Sequence, residues 1–495
     1  MSETAEAVPA ATSATPVPQG VVPQHLLLVL PSTGEFDSRS YRIATAMMTR
    51  GHKVTMLARW KAGLAEREQH PAGYEIIRVH ASTADGIPFK PLIHLAGKSV
   101  RGVNRLLGRN RAKPASSSSS SAASASTSTS ASTSASTSSL SAQATAPSAP
   151  SASAKPGPQR RASWPRRTWN STVRKFAMPL TIRSHTRNAR ALAPRADLAH
   201  GMAYMGIPIA LDQGRRQHIP VIYDARDIYL EARTLAKSRG ITRYLAARSE
   251  LGWAKRATRV ITVNDAYANV MAERLRVERP LVVMNCSYRS TPAEPRERRF
   301  HEKFGLDPAR KIVLYHGGLF PERGVEELLE AMPAIPGATL VLMGYGVLEP
   351  EFRQRASQPD LADRVCMMGA VDPSELVAWV ACADVVAMPI QASTLNHRLT
   401  TPNKLFEAMA AGVPSVVSDL EGMAAIVRET GCGLLVDPTD VLAIGNAIRE
   451  VISLPDEEWQ AWRQRCLAAA HETYNWEVQV SKLIDLYSAS TGRTW

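Results

Sequence analysis

The sequence predicts an α/β chain built from two doubly wound, Rossmann-like domains that face a shared cleft. Three observations predict it. Short runs rich in Val, Ile and Leu alternate with helical patterns through the first half. The same rhythm resumes after a polar, proline-containing stretch, Ser290–Arg299. Many of these runs are apolar throughout rather than alternating, as parallel strands covered on both faces require.

In the first half the expected strands are His25–Leu30, Val54–Leu57, Glu75–Val79, Val221–Tyr223, Arg259–Val263 and Leu281–Met284. A helix over Ser40–Arg50 ends at Gly51, which suits a C-terminal cap. In the second half the expected strands are Lys311–Tyr315, Thr339–Met343, Val365–Met368, Val385–Met388, Ser415–Ser418 and Leu434–Val436. The domain reading is therefore a tail over 1–23, one Rossmann-like domain over 24–290, a second over 291–470, and a closing segment over 471–495 that packs back on the first. In such sheets ligands bind at the carboxyl ends of the strands.

Composition narrows the classes. A chain of 495 residues fits two or three domains at about 150 residues each. With 44% hydrophobic and 21% charged residues it can bury real cores, which excludes a wholly disordered or fibrous chain. Its five cysteines are odd in number and form no CxxC, against a disulfide framework or structural zinc and in favour of a reducing compartment. No apolar run approaches the roughly 20 residues of a membrane span. The first residues have no basic stretch of the kind that opens a secretory signal.

The net charge of +14 is local. Between Asp85 and Asp197 there is no acidic residue, and that interval holds 18 Lys and Arg, so the rest of the chain stands at 14 − 18 = −4. Within it, 114–158 is a Ser/Ala/Thr insert whose composition cannot offset its ordering entropy. Its flanks differ: Leu92–Leu107 and Trp164–Leu192 place apolar residues at helical spacing among Lys and Arg. Basic amphipathic helices of this kind suit an anionic membrane surface. An ordinary domain surface is the plainer reading. No RNP, KH or zinc-finger pattern supports nucleic acid.

Two stretches carry chemistry. In Tyr315-His316-Gly317-Gly318-Leu319-Phe320-Pro321-Glu322-Arg323-Gly324 a strand runs into a glycine pair and then a helical pattern. Glycine lets backbone approach an anion, and Arg323 can pair with phosphate oxygens. In Thr401-Pro402-Asn403-Lys404-Leu405-Phe406-Glu407, Thr401 suits an N-cap and Pro402 the first helical position, with Gly412 and Pro414 as the stop. Lys404 and Glu407 are spaced i, i+3 and so share a face. A cation and a helix N-terminus can meet a diphosphate, and an acid one turn on can accept from a vicinal diol. The plain alternative is a solvated Lys–Glu pair.

With those residues quoted, the chain resembles the GT-B glycosyltransferases of family 4, retaining enzymes that use nucleotide-sugar donors. Leu314–Met332 resembles the family's donor-diphosphate loop, and Thr401–Asp419 its PNK-FE subgroup signature. The resemblance implies donor contacts from Gly317, Gly318, Arg323, Gly344, Gly346, Gly369, Pro402, Asn403, Lys404 and Glu407, with Glu407 on the ribose. It implies acceptor-side roles for Gly34, Asp37, Arg39 and Arg226, and makes His200, Asp224, Arg323 and Lys404 the catalytic candidates. Three departures stand out: Leu399 occupies the position of the first family Glu, Met202 and Ala203 replace the second His and the Asp of HAHD, and Arg226 replaces the His of YD-HE.

The implied activity is sugar transfer from a nucleotide sugar to an acceptor hydroxyl with retention, the acceptor being a carbohydrate or lipid-linked. No metal and no further cofactor is expected, because the sequence shows no DxD constellation at a strand end. The expected location is cytoplasmic, with peripheral contact on the inner membrane face. The rivals are a nucleotide-sugar 2-epimerase on the same fold and an inert membrane-associated scaffold.

Overall fold

The structure is a computed structural model that describes residues 22–35, 37–82, 177–232, 235 and 240–495. The Ser/Ala/Thr insert, Leu92–Leu107 and the 164–176 part of Trp164–Leu192 lie outside the described residues, as does the tail up to residue 21.

The first sheet runs β1 (His25–Val29), β2 (Lys53–Arg59), β3 (Arg67–Gln69), β4 (Glu75–Val79), β5 (Leu198–Met202), β6 (Val221–Asp224), β7 (Arg259–Thr262) and β8 (Leu281–Val282). Its order is β3-β4-β2-β1-β5-β6-β7-β8, parallel except for the antiparallel β3–β4 pair. The second sheet contains β9 (Lys311–Gly318), β10 (Ala338–Tyr345), β11 (Val365–Met368), β12 (Val385–Met388), β13 (Ser415–Ser418) and β14 (Gly433–Val436). Its order is β11-β10-β9-β12-β13-β14, and every pairing is parallel. Strand order reverses beside β1 in one sheet and beside β9 in the other, and crevices open at such switch points.

Each sheet is covered on both faces. Leu26 and Leu28 of β1 enter one core cluster and Leu27 and Val29 the opposite one, the period-2 alternation of a strand buried on both sides. The second domain repeats this, with Ile312 and Leu314 of β9 on one face and Val313 and Tyr315 on the other. The helix Trp476–Thr491 crosses back, and its Trp476, Val480, Leu483 and Tyr487 pack in the first domain's cluster with Leu26 and Ile43.

Some boundaries differ from the expectation. The first helix is Ser38–Met48, started by the Asp37 carboxylate accepting from the Ser40 N–H, two residues before the predicted start. Periodicity does not predict β5 (Leu-Ala-His-Gly-Met) as a strand. It has no β-branched residue and contains His and Gly, yet all five residues are buried between β1 and β6. β3 is a short charged edge strand with no apolar signal.

Candidate active site at the strand ends

The second domain's contribution is built where β9 ends. Lys404, in the helix Asn403–Ala411, places its Nζ 3.8 Å from the centroid of the Tyr315 ring. It also lies beside Gly317, where a Cβ would come 3.6 Å from Lys404 Cε and Nζ. The Tyr315 hydroxyl donates to the Gly318 carbonyl at 2.9 Å, which fixes the ring under the ammonium. Burial first, and the Arg323 charge second, lower the Lys404 pKa to about 7, against the opposing pull of Glu407. A lysine so perturbed beside a glycine turn is poised for an anion.

Glu407 is buried and turns toward His316, with Oε2 2.9 Å from His316 Nε2. Burial would raise its pKa, but the hydrogen bond and charge of His316, with Arg42 and Lys404, carry it below the usual range. From the sequence alone His316 has no role beyond its place before the glycine pair. The available signal was a histidine closing a strand directly before a glycine pair. Its Nδ1 has no hydrogen-bond partner.

The glycines divide by what surrounds them. Gly344 has φ +153°, and a Cβ there would lie 1.9 Å from the Gly317 carbonyl oxygen, so β9 and β10 end backbone against backbone. A Cβ on Gly346 would lie 2.0 Å from the Leu319 oxygen, and one on Gly318 2.6 Å from the Phe320 ring. Gly369 is open, with nothing within 4 Å of an added Cβ. Arg323, half-buried just before Gly324, lies close enough for its charge to act on Lys404, Tyr315 and Asp227.

The Asn403–Ala411 helix starts later than expected. Pro402 is its N-cap, without a side-chain cap bond, and Thr401 instead accepts from Asn264 Nδ2 at 3.3 Å. Asn403 reaches the first domain: its Oδ1 accepts from Asn285 Nδ2 at 2.9 Å, and its Nδ2 donates to Ser38 Oγ at 3.3 Å. Arg42 holds the Asn285 side-chain oxygen at 2.9 Å. Arg42, Asn285, Asn264 and Asn396 were not singled out from the sequence, since isolated Asn and Arg carry no local pattern.

The first domain's candidates fall into two layers. Arg226 Nη1 donates to both carboxylate oxygens of Asp37, at 2.8 and 3.0 Å, in a partly open pair. Gly34, with φ +87°, lies in the loop after β1 against Ala58 and Ile76. His200, Asp224 and Arg39 are different: 0%, 0% and 2% exposed, they bond to one another rather than facing a ligand. Arg39 Nε donates to Asp224 Oδ2 at 2.6 Å and Nη1 to the Val283 carbonyl at 2.7 Å. His200 lies 3.3 Å from Asp224 through Nε2 and 2.6 Å from the Tyr487 hydroxyl through Nδ1. The three form a buried network, because Arg39 turns inward from the first helix to meet the last residue of β6. Leu399 is likewise 3% exposed and sits in the first domain's core cluster, so that position holds the domains together.

Among the described residues no three His, Cys, Asp or Glu side chains gather as a metal site, and no helix is long and apolar enough to cross a membrane.

Residues 310–453 match the family described as Glycosyl transferases group 1. A GDP-mannose-dependent alpha-(1-6)-phosphatidylinositol monomannoside mannosyltransferase of Mycobacterium tuberculosis is 32% identical over 198 residues, which are 37% of this chain and 51% of that protein. A D-inositol 3-phosphate glycosyltransferase of Xylanimonas cellulosilytica is 26% identical over 45% of this chain and 52% of its own length. The matched stretch thus spans about half the length of these curated relatives. In three dimensions, sucrose-phosphate synthase from Thermosynechococcus elongatus superposes with a TM-score of 0.63 at 16% identity, covering 94% of this chain and 98% of that one. Its two parallel sheets give this chain the GT-B fold that it shares with that synthase, and residues 310–453 match the model of the glycosyl transferases group 1 family.

Proposed function

We propose that the chain is a retaining glycosyltransferase that moves a sugar from a nucleoside-diphosphate donor to the hydroxyl of a lipid-linked or glycolipid acceptor. One observation carries this reading: the Lys404 ammonium is held over Tyr315 beside Gly317, with Glu407 one turn along the same helix. Departure of the sugar loads negative charge on the diphosphate. Lys404, Arg323 and the backbone around Gly317 and Gly318 stabilise that charge where it develops. Two side-chain cations and a helix N-terminus supply the compensation, so the proposed reaction proceeds without a metal. Glu407 binds the ribose diol after exchanging its His316 contact. The relatives are a GDP-mannose-dependent mannosyltransferase and a D-inositol 3-phosphate glycosyltransferase, which favours transfer over epimerisation.

A screen of UDP-, GDP- and dTDP-sugars with donor hydrolysis as the readout tests the donor half. One donor is expected to turn over, and Glu407→Ala to weaken its nucleoside diphosphate by about 10-fold to 100-fold, the range of a lost hydrogen bond to a charged group. A chain that binds no nucleoside diphosphate at millimolar concentration would end the proposal.

Peripheral contact with an anionic inner membrane face is part of the same reading. The helix Ile241–Ala254 supports it. Ile241, Tyr244 and Leu245 are 68%, 61% and 43% exposed, and Arg248 is exposed beside them, at i, i+3, i+4 and i+7. Arg183 and Arg187 are exposed on the helix Ala177–Leu192, which joins the Ile241–Ala254 helix at a small core of Ile182, Tyr204, Leu235 and Ala246. Apolar side chains flanked by arginine suit an interfacial helix. In flotation assays the chain is expected to rise with phosphatidylglycerol-containing vesicles and not with phosphatidylcholine alone. The double variant Ile241→Asp, Leu245→Asp is expected to bind at least about 100-fold less, since burying each such side chain contributes about 1.5–3 kcal/mol. Equal binding to both vesicle types would remove the anionic-surface reading.

A further inference from the structure

Four acidic side chains gather near the strand ends, and three are already engaged. Asp37 is held by Arg226 and the Ser40 N–H, Asp224 by Arg39 and His200, and Glu407 by His316. Asp227 is exposed, in the bend after β6, and no hydrogen bond or ion pair holds it among the described residues.

Its backbone is nevertheless fixed, from the opposite domain. The Ile228 N–H donates to Asn396 Oδ1 at 2.8 Å, and the Ile228 carbonyl accepts from Asn396 Nδ2 at 3.1 Å. Asn396 sits in the helix Leu395–Leu399, and its own carbonyl accepts from the Tyr267 hydroxyl at 2.9 Å. Asn264 Nδ2 donates to the Leu399 carbonyl at 2.7 Å, and the Leu399 side chain is buried in the first domain. The second domain therefore grips the residue next to Asp227 on both backbone polar groups. A carboxylate left bare beside such a clamp is held in place without being neutralised.

The charged groups around it define where it stands. Arg226 and Asp224 belong to its own segment; Arg323 and His397 face it from the second domain. Desolvation raises its pKa, while Arg226, Arg323 and His397 pull the other way. Arg323 is the residue assigned above to the donor diphosphate. Asp227 thus lies within reach of the charge of the residue assigned to the leaving group and of Arg226 on the acceptor side.

We propose that Asp227 is an acceptor-binding residue, its carboxylate accepting a hydrogen bond from an acceptor hydroxyl and orienting that substrate toward the donor sugar. The inference rests on the glycosyl-transfer reading and adds a residue to it. An ionised carboxylate with no partner among the described residues is a strong acceptor for a substrate hydroxyl.

Asp227→Asn tests it in the full chain, with the donor that the wild type hydrolyses and the first alkyl hexoside from a panel that it glycosylates. UDP or GDP affinity by calorimetry, and donor hydrolysis without acceptor, are expected to stay within about twofold of wild type. Those two readouts also establish that the variant is folded. The kcat/KM for the alkyl hexoside is expected to fall at least about 10-fold, mainly through KM, the range of a lost hydrogen bond to a charged group. An unchanged acceptor kcat/KM would overturn the assignment, and so would a parallel fall in donor hydrolysis, which would place Asp227 on the donor instead. A wild-type chain that hydrolyses no donor and glycosylates no hexoside would remove the underlying transfer reading rather than this assignment alone.

Discussion

Replacing Lys404 by Met is expected to lower donor turnover by about 10²–10³-fold, the usual cost of removing one group that stabilises developing negative charge. Met keeps the length and the contact with the Tyr315 ring but removes the charge. The fold is expected to survive and even to gain. The lysine pKa falls from its ordinary value to about 7 on folding, chiefly by burial, so the folded state disfavours the ammonium. Between pH 7 and the ordinary lysine pKa the unfolded chain binds more protons, and the wild type gains stability as pH rises through that window. Below pH 7 the cost of the buried ammonium is fully present. There the Met variant is expected to melt at or above the wild-type temperature, the pattern of a site that gives up stability for function.

The same perturbation makes nucleotide binding pH-dependent with a definite sign. Above pH 7 the free protein holds Lys404 largely neutral, and a bound diphosphate favours the ammonium. Binding of UDP or GDP at pH 8 is therefore expected to take up close to one proton. Affinity should fall toward tenfold per pH unit above 7, until the bound-state pKa is reached. Calorimetry in two buffers of different ionisation enthalpy measures the uptake. The uptake should vanish in Lys404→Met. Uptake that persists in the variant would mean that another group carries the linkage.

What the sequence made legible was local. The apolar runs that became β1, β4, β9, β10 and β12 could be read because burial on both faces demands unbroken hydrophobicity over a few residues. The Thr401–Pro414 stretch could be read because helix start, charged pair and helix stop fall within fourteen residues. What could not be read was long-range. His316 meets Glu407 across 91 residues, and Arg39 meets Asp224 across 185. Neither pair leaves a trace at any fixed spacing. The same holds for Asn396, whose hold on Ile228 spans 168 residues. β5 shows the opposite limit: its burial comes from its neighbours in the sheet, so a strand with His and Gly in it satisfies tertiary packing against its own propensity. Resemblance supplied residue types at the strand ends, while burial decided which of them remain available to a ligand.

That decision makes the Arg39–Asp224–His200 network a stability feature with a large expected effect. Burial would raise the Asp224 pKa, but the Arg39 guanidinium and His200 hold its carboxyl well below the usual carboxylate range. Burial keeps His200 below its ordinary pKa, so the network carries one negative and one positive charge at neutral pH. Asp224 Oδ1 and Arg39 Nη2 have no hydrogen-bond partner, so neither ion has a substitute for the other. Arg39→Ala leaves the Asp224 carboxylate, at 0% exposure, without its guanidinium and with only the longer His200 contact, and removes the bond to the Val283 carbonyl. The expected destabilisation is about 3–5 kcal/mol at pH 7. Acidification should shrink that deficit. The wild-type Asp224 contributes stability above the unfolded carboxyl pKa, about 4, and loses it as pH falls further. In the variant burial dominates and Asp224 takes up a proton earlier, so the two proteins should draw together between pH 7 and about pH 4. The double variant Arg39→Met, Asp224→Leu should cost less than Arg39→Ala alone, because it removes both desolvated charges at once. Unfolding in denaturant at pH 7 and pH 5 measures all three. A deficit for Arg39→Ala under about 1 kcal/mol, unchanged by pH, would mean that water reaches the pair and that the floor of the first domain is open to ligand after all.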